Sequence, residues 1–241
     1  MTGTLYGVGL GPGDPELMSV RADRLVRSTR HIAWFRKAGR AGRARSIVEG
    51  MFRDDVETFA MEYPVTTEIP LSDPRYNEIL SAFYAECCGQ LEATVRSGED
   101  VVVLCEGDPF FYGSFMHAYT RLKDRIPVEV VPAITGMSAA WTATGAPVTW
   151  GDDILSTVMG TLDGDTLADA MKRADALVVM KIGRNLPKVR RALEAAGKTD
   201  RAVLVEYASM EGQRVCPLVE YEGKTLPYFS IIIVHGQGRR P

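Results

Sequence analysis

"LYGVGLGPGDPEL", residues 5–17, decides how the chain is read. A short apolar run enters this stretch and a helix-forming segment leaves it. Between them four glycines alternate: Gly7, Gly9, Gly11 and Gly13. A glycine turn between a strand and a helix marks an α/β fold, and it often cradles a phosphate at the helix start.

The phosphate motifs fail here. The dinucleotide fingerprint needs glycine or alanine at its sixth position. Counting from Gly7, Gly9 and Gly11, that position holds Pro12, Asp14 and Glu16. No lysine follows Gly13, so the G-x-x-x-x-G-K-[ST] loop fails as well. Asp14 and Glu16 would also repel an anion at the helix start. A nicotinamide oxidoreductase is therefore disfavoured. Two readings of the glycines stay open. They permit close strand–helix packing, or they clear one face of a strand end beneath a large planar ligand.

Working outward, the first half alternates strands and helices. "TLYGVGL" reads as a strand, and Asp14 and Pro15 as the start of a helix carrying Met18, Ala22, Leu25 and Val26. "HIAWF" is a second strand, followed by a basic stretch and a helix near residues 46–52. The three prolines of "YPVTTEIPLSDP" mark a loop. A long helix runs from after Pro74 to near Gly98, with Ile79, Leu80, Phe83, Cys87, Leu91 and Val95 on one stripe. "DVVVLC" is continuously apolar, as expected of a strand covered on both faces. "VEVVP" is another strand, and "ITGMSAAWTATG" a small-residue helix.

After Pro147 strands follow one another with short links. "LSTVMGT", "ALVVMK", "RAVLVEY" and "PYFSIIIV" are strands, with another around 214–220. Helices fall over 166–173 and 185–196. This texture predicts a mixed sheet. The expected fold is two α/β domains, 1–146 with a mostly parallel sheet and 147–241 with a mixed one, joined near 135–147.

The bulk numbers agree. The chain has 241 residues, enough for a sizeable core. It is 46% hydrophobic and 24% charged, with a net charge of -3, which disfavours a nucleic-acid binder. No apolar run reaches a membrane span, and the start lacks a signal peptide's pattern, so a cytoplasmic protein is expected. Four cysteines without zinc-type spacing and three histidines give no expectation of a protein-built metal site.

"VVVLCEGDPFFYGSFMH", 101–117, is the second unusual concentration. A buried strand ends there in carboxylates, where open α/β sheets bind ligands. Glu106 and Asp108 are suited to accept hydrogen bonds from a ribose or an amine; Asp108 equally suits a helix cap. Phe110, Phe111 and Tyr112 either enclose a ligand or join the core. "VVPAITGMSAA", "VVMKIGRN" and "VEYASMEGQ" repeat the pattern at further strand ends.

These segments, in this order, resemble the tetrapyrrole (precorrin) methyltransferases. The matching landmarks are "VGLGPGDPEL", "GDP-x-x-YG" at Gly107–Gly113 and "P-x-x-TGMSA" at Pro132–Ala139. "YPVTTE", "CEGDPFFYGSFMH" and "MKIGRNLPKVRRAL" resemble the branch that methylates precorrin-2 at C20, with the cobalt-containing substrate as the neighbouring possibility. One departure is Ala133, where relatives often carry glycine. A non-catalytic tetrapyrrole-binding protein is the alternative of a different class.

The resemblance implies the tetrapyrrole methylase fold, with the active-site cleft between two α/β domains, S-adenosyl-L-methionine as methyl donor, and a homodimer. It implies cofactor contacts at Pro12, Glu106, Gly107, Asp108, Phe111, Tyr112, Thr135, Gly136, Met180 and Ala208. It places Gly9 and Gly11 on the tetrapyrrole side. The substrate's eight carboxylates require basic partners. Arg36, Lys37, Arg40, Arg43 and Arg45 form one basic group, and Arg184, Lys188, Arg190 and Arg191 another. Arg36 and Arg184 are favoured because each follows a strand end. Transfer to an electron-rich carbon needs in-line placement rather than a protein nucleophile. Glu106, Asp108 and Tyr112 remain open as proton acceptors, and no catalytic base is assigned.

Overall fold

The first sheet places its most apolar strand at its centre. In the computed structural model, which describes residues 2–65 and 73–239, every residue of β4 (Val101–Cys105) is buried. It lies between β1 (Leu5–Gly9) and β2 (His31–Lys37), with β3 (Glu57–Tyr63) and β5 (Val128–Val131) at the edges. All four pairings are parallel. The five carboxyl ends therefore share one edge.

Both faces of this sheet are covered, as a continuous apolar strand requires. On one face α3 (Pro74–Arg96) and α4 (Phe115–Leu122) pack Phe83, Cys87, Leu91, Val95 and Phe115 against Leu5, Val101 and Val103. On the other, α1 (Val20–Ser28) and α2 (Arg43–Ile47) pack Ala22, Val26 and Ala44 against Val8, Leu10, Val102 and Leu104.

The second sheet is mixed, in the order β6-β7-β10-β8-β9. Its strands are β6 (Leu155–Met159), β7 (Ala176–Met180), β8 (Ala202–Glu206), β9 (Arg214–Pro217) and β10 (Ser230–Val234). β6 and β7 pair in parallel, whereas β10 runs antiparallel to β7 and β8. Leu167 and Met171 of α6 (Gly164–Arg173) and Leu186, Val189 and Leu193 of α7 (Leu186–Ala195) fill one face. Ala140 of α5 (Gly136–Ala143) packs with Val178, Val205 and Ile233 on the other.

Contacts divide the chain into units of Met1–Thr135 and Gly136–Pro241. The split falls at the front of the 135–147 joint read from the sequence. α5 goes with the second unit because its buried face packs on β8 and β10.

Local differences from the sequence reading have physical causes. Asp14 caps only a 3-10 turn over Pro15–Leu17, accepting from the Glu16 N–H at 2.9 Å. Met18 is extended, and Ser19 is the true cap of α1, accepting from the Ala22 N–H. The helix expected near 46–52 is the single turn of α2, displaced toward Arg43. β3 escaped notice because it is an edge strand whose exposed and half-buried residues dilute the alternation. The loop reading of "YPVTTEIPLSDP" rests on residues 66–72, outside those described. Among the described helices, none is long and apolar enough to cross a membrane.

Candidate functional site

Two turns meet at the carboxyl edge of the first sheet. The Gly107 N–H donates to the Gly11 carbonyl at 2.8 Å, joining the turn after β1 to the turn after β4. Gly11 has φ +81° and Gly107 φ +62°, a left-handed region that glycine enters at least cost. Gly9, Gly11 and Pro12 are buried.

At Gly7 and Gly9 the structure favours the packing reading. A Cβ at Gly7 would stand 2.2 Å from the ring of Phe115, so α4 occupies that space. A Cβ at Gly9 would stand 2.6 Å from the Ala133 Cβ, 2.7 Å from the Gly107 carbonyl oxygen and 2.9 Å from Pro109 Cδ. The protein itself fills the clearance. The open floor expected at Gly9 is therefore corrected: this glycine lets the β4 and β5 turns close over β1.

Asp108 braces the same turns. Its Oδ1 accepts from the Phe110 N–H at 2.9 Å and its Oδ2 from the Ala133 N–H at 3.0 Å. One carboxylate thus shapes its own turn and ties it to the end of β5. Glu106 differs. It keeps solvent access, yet crowding of its carboxyl by protein pushes its pKa above the ordinary carboxylate range, opposed by the charge of Arg43 and a backbone hydrogen bond from Ala44. The aromatic run does not join the core as a block. Phe110 and Tyr112 are 46% and 49% exposed, beside the half-buried Phe111. Ile134, next to Thr135, is also exposed.

The basic residues divide by partner. The guanidinium of Arg36 is bonded to Glu62, directly across the β2–β3 register, with Nε to Oε1 at 2.8 Å. Arg45 stacks over Phe52 at 4.6 Å and Trp34 at 5.9 Å. Arg190 donates to the Tyr221 carbonyl. Arg184 is exposed on the 3-10 turn Gly183–Asn185 that follows β7.

In the second unit Met180 and Ala208 pack into one cluster with Met137, beside the amino end of α5. Thr135 and Gly136 stand at that helix start. Sequence reading missed what surrounds Met180 and Ala208. Among the described residues, four that are not glycine have positive φ: Tyr112, Lys181, Tyr207 and Ser209. Lys181 directly follows β7, and Tyr207 and Ser209 flank Ala208 just after β8. Such conformations cost about 1–3 kcal/mol each and collect at functional sites. No residue type announced them; glycine, the usual signal, is absent from all four positions. The Ser209 hydroxyl is buried without a hydrogen-bond partner among the described residues.

Parallel strands that deliver tight turns, a braced carboxylate and exposed aromatics to one edge define the class as α/β, with the carboxyl edge as the candidate site. The chain belongs to the tetrapyrrole (corrin/porphyrin) methylases, whose family profile matches residues 4–222. It is 45% identical over 239 residues to a precorrin-2 C(20)-methyltransferase of Sinorhizobium sp, covering 99% of this chain and 98% of the relative. It is 26% identical to a cobalt-precorrin-2 C(20)-methyltransferase of Salmonella typhimurium, covering 98% of each. The uroporphyrin-III C-methyltransferase of Thermus thermophilus, solved with S-adenosyl homocysteine, shares the fold at a TM-score of 0.69 and 24% identity, covering 97% of this chain and 92% of that one.

Proposed function

We propose that this chain methylates C20 of precorrin-2, giving precorrin-3A, in cobalamin biosynthesis. The observation that carries this reading is the 45% identity to the Sinorhizobium enzyme, continuous over almost the full length of both chains. The lower identity to the cobalt-precorrin relative, 26%, favours the metal-free substrate.

S-adenosyl-L-methionine supplies the electrophilic methyl group on a sulfonium. The residues present fit such a molecule. Exposed Phe110, Tyr112 and Ile134 offer apolar surface beside the braced turns of the first unit. Pro12, Glu106, Gly107, Asp108, Phe111, Tyr112 and Thr135 are the first unit's cofactor contacts in this reading. The family resemblance extends the assignment to Gly136, Met180 and Ala208. Asp108 acts mainly by fixing the turns, since backbone donors engage both of its oxygens. Gly11 and Arg184 remain on the substrate side. Arg36 serves there only by exchanging Glu62 for a substrate carboxylate. The chain's task is to hold donor and acceptor in line and exclude water. A cytoplasmic homodimer is the natural setting.

The test is incubation with precorrin-2, with and without cobalt, and methyl-labelled cofactor, followed by NMR. Label at C20 of the metal-free substrate is expected. Label at another carbon, or turnover of the cobalt form alone, refutes the assignment.

A further inference from the structure

We propose that the amino edge of the second sheet holds a site for a zwitterionic α-amino acid. A cavity of about 250 Å³ opens there, lined by Asp153, Asp175, Lys198, Arg201, Gln237 and Gly238. Asp153 and Asp175 precede β6 and β7, and Lys198 and Arg201 precede β8. Gln237 and Gly238 follow β10, whose antiparallel course brings its end to this edge. Met180 and Ala208 lie at the opposite ends of their strands, so the cavity is separate from the strand-end residues described above.

The charges in this cavity are held apart. The Lys198 stem is buried, the residue being only 8% exposed, and its ammonium, which keeps solvent contact, has no hydrogen-bond partner and no carboxylate within 4.0 Å among the described residues. Arg201 donates one N–H to the His235 carbonyl at 3.1 Å and likewise meets no carboxylate. Both aspartates are fixed through one oxygen. Asp175 Oδ2 accepts from the Ile154 N–H at 2.8 Å, and Asp153 Oδ2 from the Trp150 and Gly238 N–H groups at 2.8 and 3.3 Å. Their Oδ1 atoms make no hydrogen bond among the described residues.

Two cations and two carboxylates thus face one small space without pairing. Charges of both signs that converge on one small space without neutralising each other suit a group that bridges them. A phosphate would be repelled by the aspartates, and a metal ion by Lys198 and Arg201. A molecule carrying one ammonium and one carboxylate satisfies all four groups at no cost in net charge. The carboxylate meets Lys198 and Arg201, and the ammonium meets the free aspartate oxygens. The volume admits a small amino acid.

Calorimetry with glycine, L-serine and L-glutamine tests this, with acetate, methylammonium and inorganic phosphate as single-charge controls. At least one amino acid is expected to bind with a Kd below about 1 mM. Lys198→Gln and Asp175→Asn should each weaken it at least tenfold. Arg201→Gln serves the same purpose should Lys198→Gln fail to fold by circular dichroism. Methyl transfer by all three variants is expected to match wild type. Absence of amino-acid binding, equal binding of acetate or phosphate, or affinity unchanged in the folded variants overturns the proposal.

Discussion

Gly9→Ala is the sharpest probe of the turn region. The added Cβ would lie 2.6 Å from Ala133 Cβ and 2.7 Å from the Gly107 carbonyl oxygen. The second neighbour is backbone, and its own N–H is bonded to Gly11, so it has little freedom to retreat. Overpacking of this kind costs about 1–3 kcal/mol. Loss of the Gly107–Gly11 bond adds about 0.5–1.5 kcal/mol. Reduced freedom of the unfolded chain returns about 0.4–1 kcal/mol. The net destabilisation centres near 2 kcal/mol, or about 4–8 °C in Tm for a chain of this size. The strain falls on the turns assigned to the cofactor, so affinity for S-adenosylhomocysteine should fall about tenfold or more. Urea denaturation and calorimetry measure both. Gly89→Ala is the control: nothing lies within 4 Å of its Cβ at an exposed position of α3, and a gain of about 0.5–1 kcal/mol is expected. Gly9→Ala with wild-type stability and cofactor affinity, but without tetrapyrrole turnover, would refute the packing argument and restore the open floor.

Asp108→Asn leaves one carbonyl oxygen for two backbone donors, so either Phe110 or Ala133 loses its acceptor. A loss of about 1–3 kcal/mol and weaker S-adenosylhomocysteine binding are expected; unchanged urea unfolding argues against the brace. Glu106 has a raised pKa when folded, so its ionised form opposes folding. Wild-type stability should fall as pH rises from near 4.5 through that raised value. Glu106→Gln should therefore raise the Tm at pH 7 but not well below pH 4; a lower Tm at pH 7 would mean that Arg43 outweighs desolvation. Burial pushes the Cys87 thiol up to about 12 and also raises Cys88 and Cys105, so a thiol reagent at pH 8 should mark half-buried Cys216 first. Mass spectrometry that finds Cys87 or Cys105 modified earlier contradicts this ordering.

The sequence by itself determined the two α/β units, the central strand β4 and the long helix α3. Each is encoded locally, by a continuous apolar run or a stripe at helical spacing. It also marked the strand-end segments from Gly9 to Ala208, because glycine, proline and carboxylates are conspicuous after apolar runs. Tertiary structure decided what those residues do. Gly7 is bare because Phe115, over a hundred residues later, needs its space, and Gly9 because Ala133 and Gly107 close over it. Asp108 is a brace because the Ala133 N–H comes within reach. Arg36 is paired because β3, weakly patterned as an edge strand, puts Glu62 beside it. The left-handed Lys181, Tyr207 and Ser209 left no trace in the sequence, since only surrounding contacts hold such residues there. Chain pattern carries short-range periodicity; clearance, pairing and strain arise from residues distant in sequence, and only the folded chain brings them together.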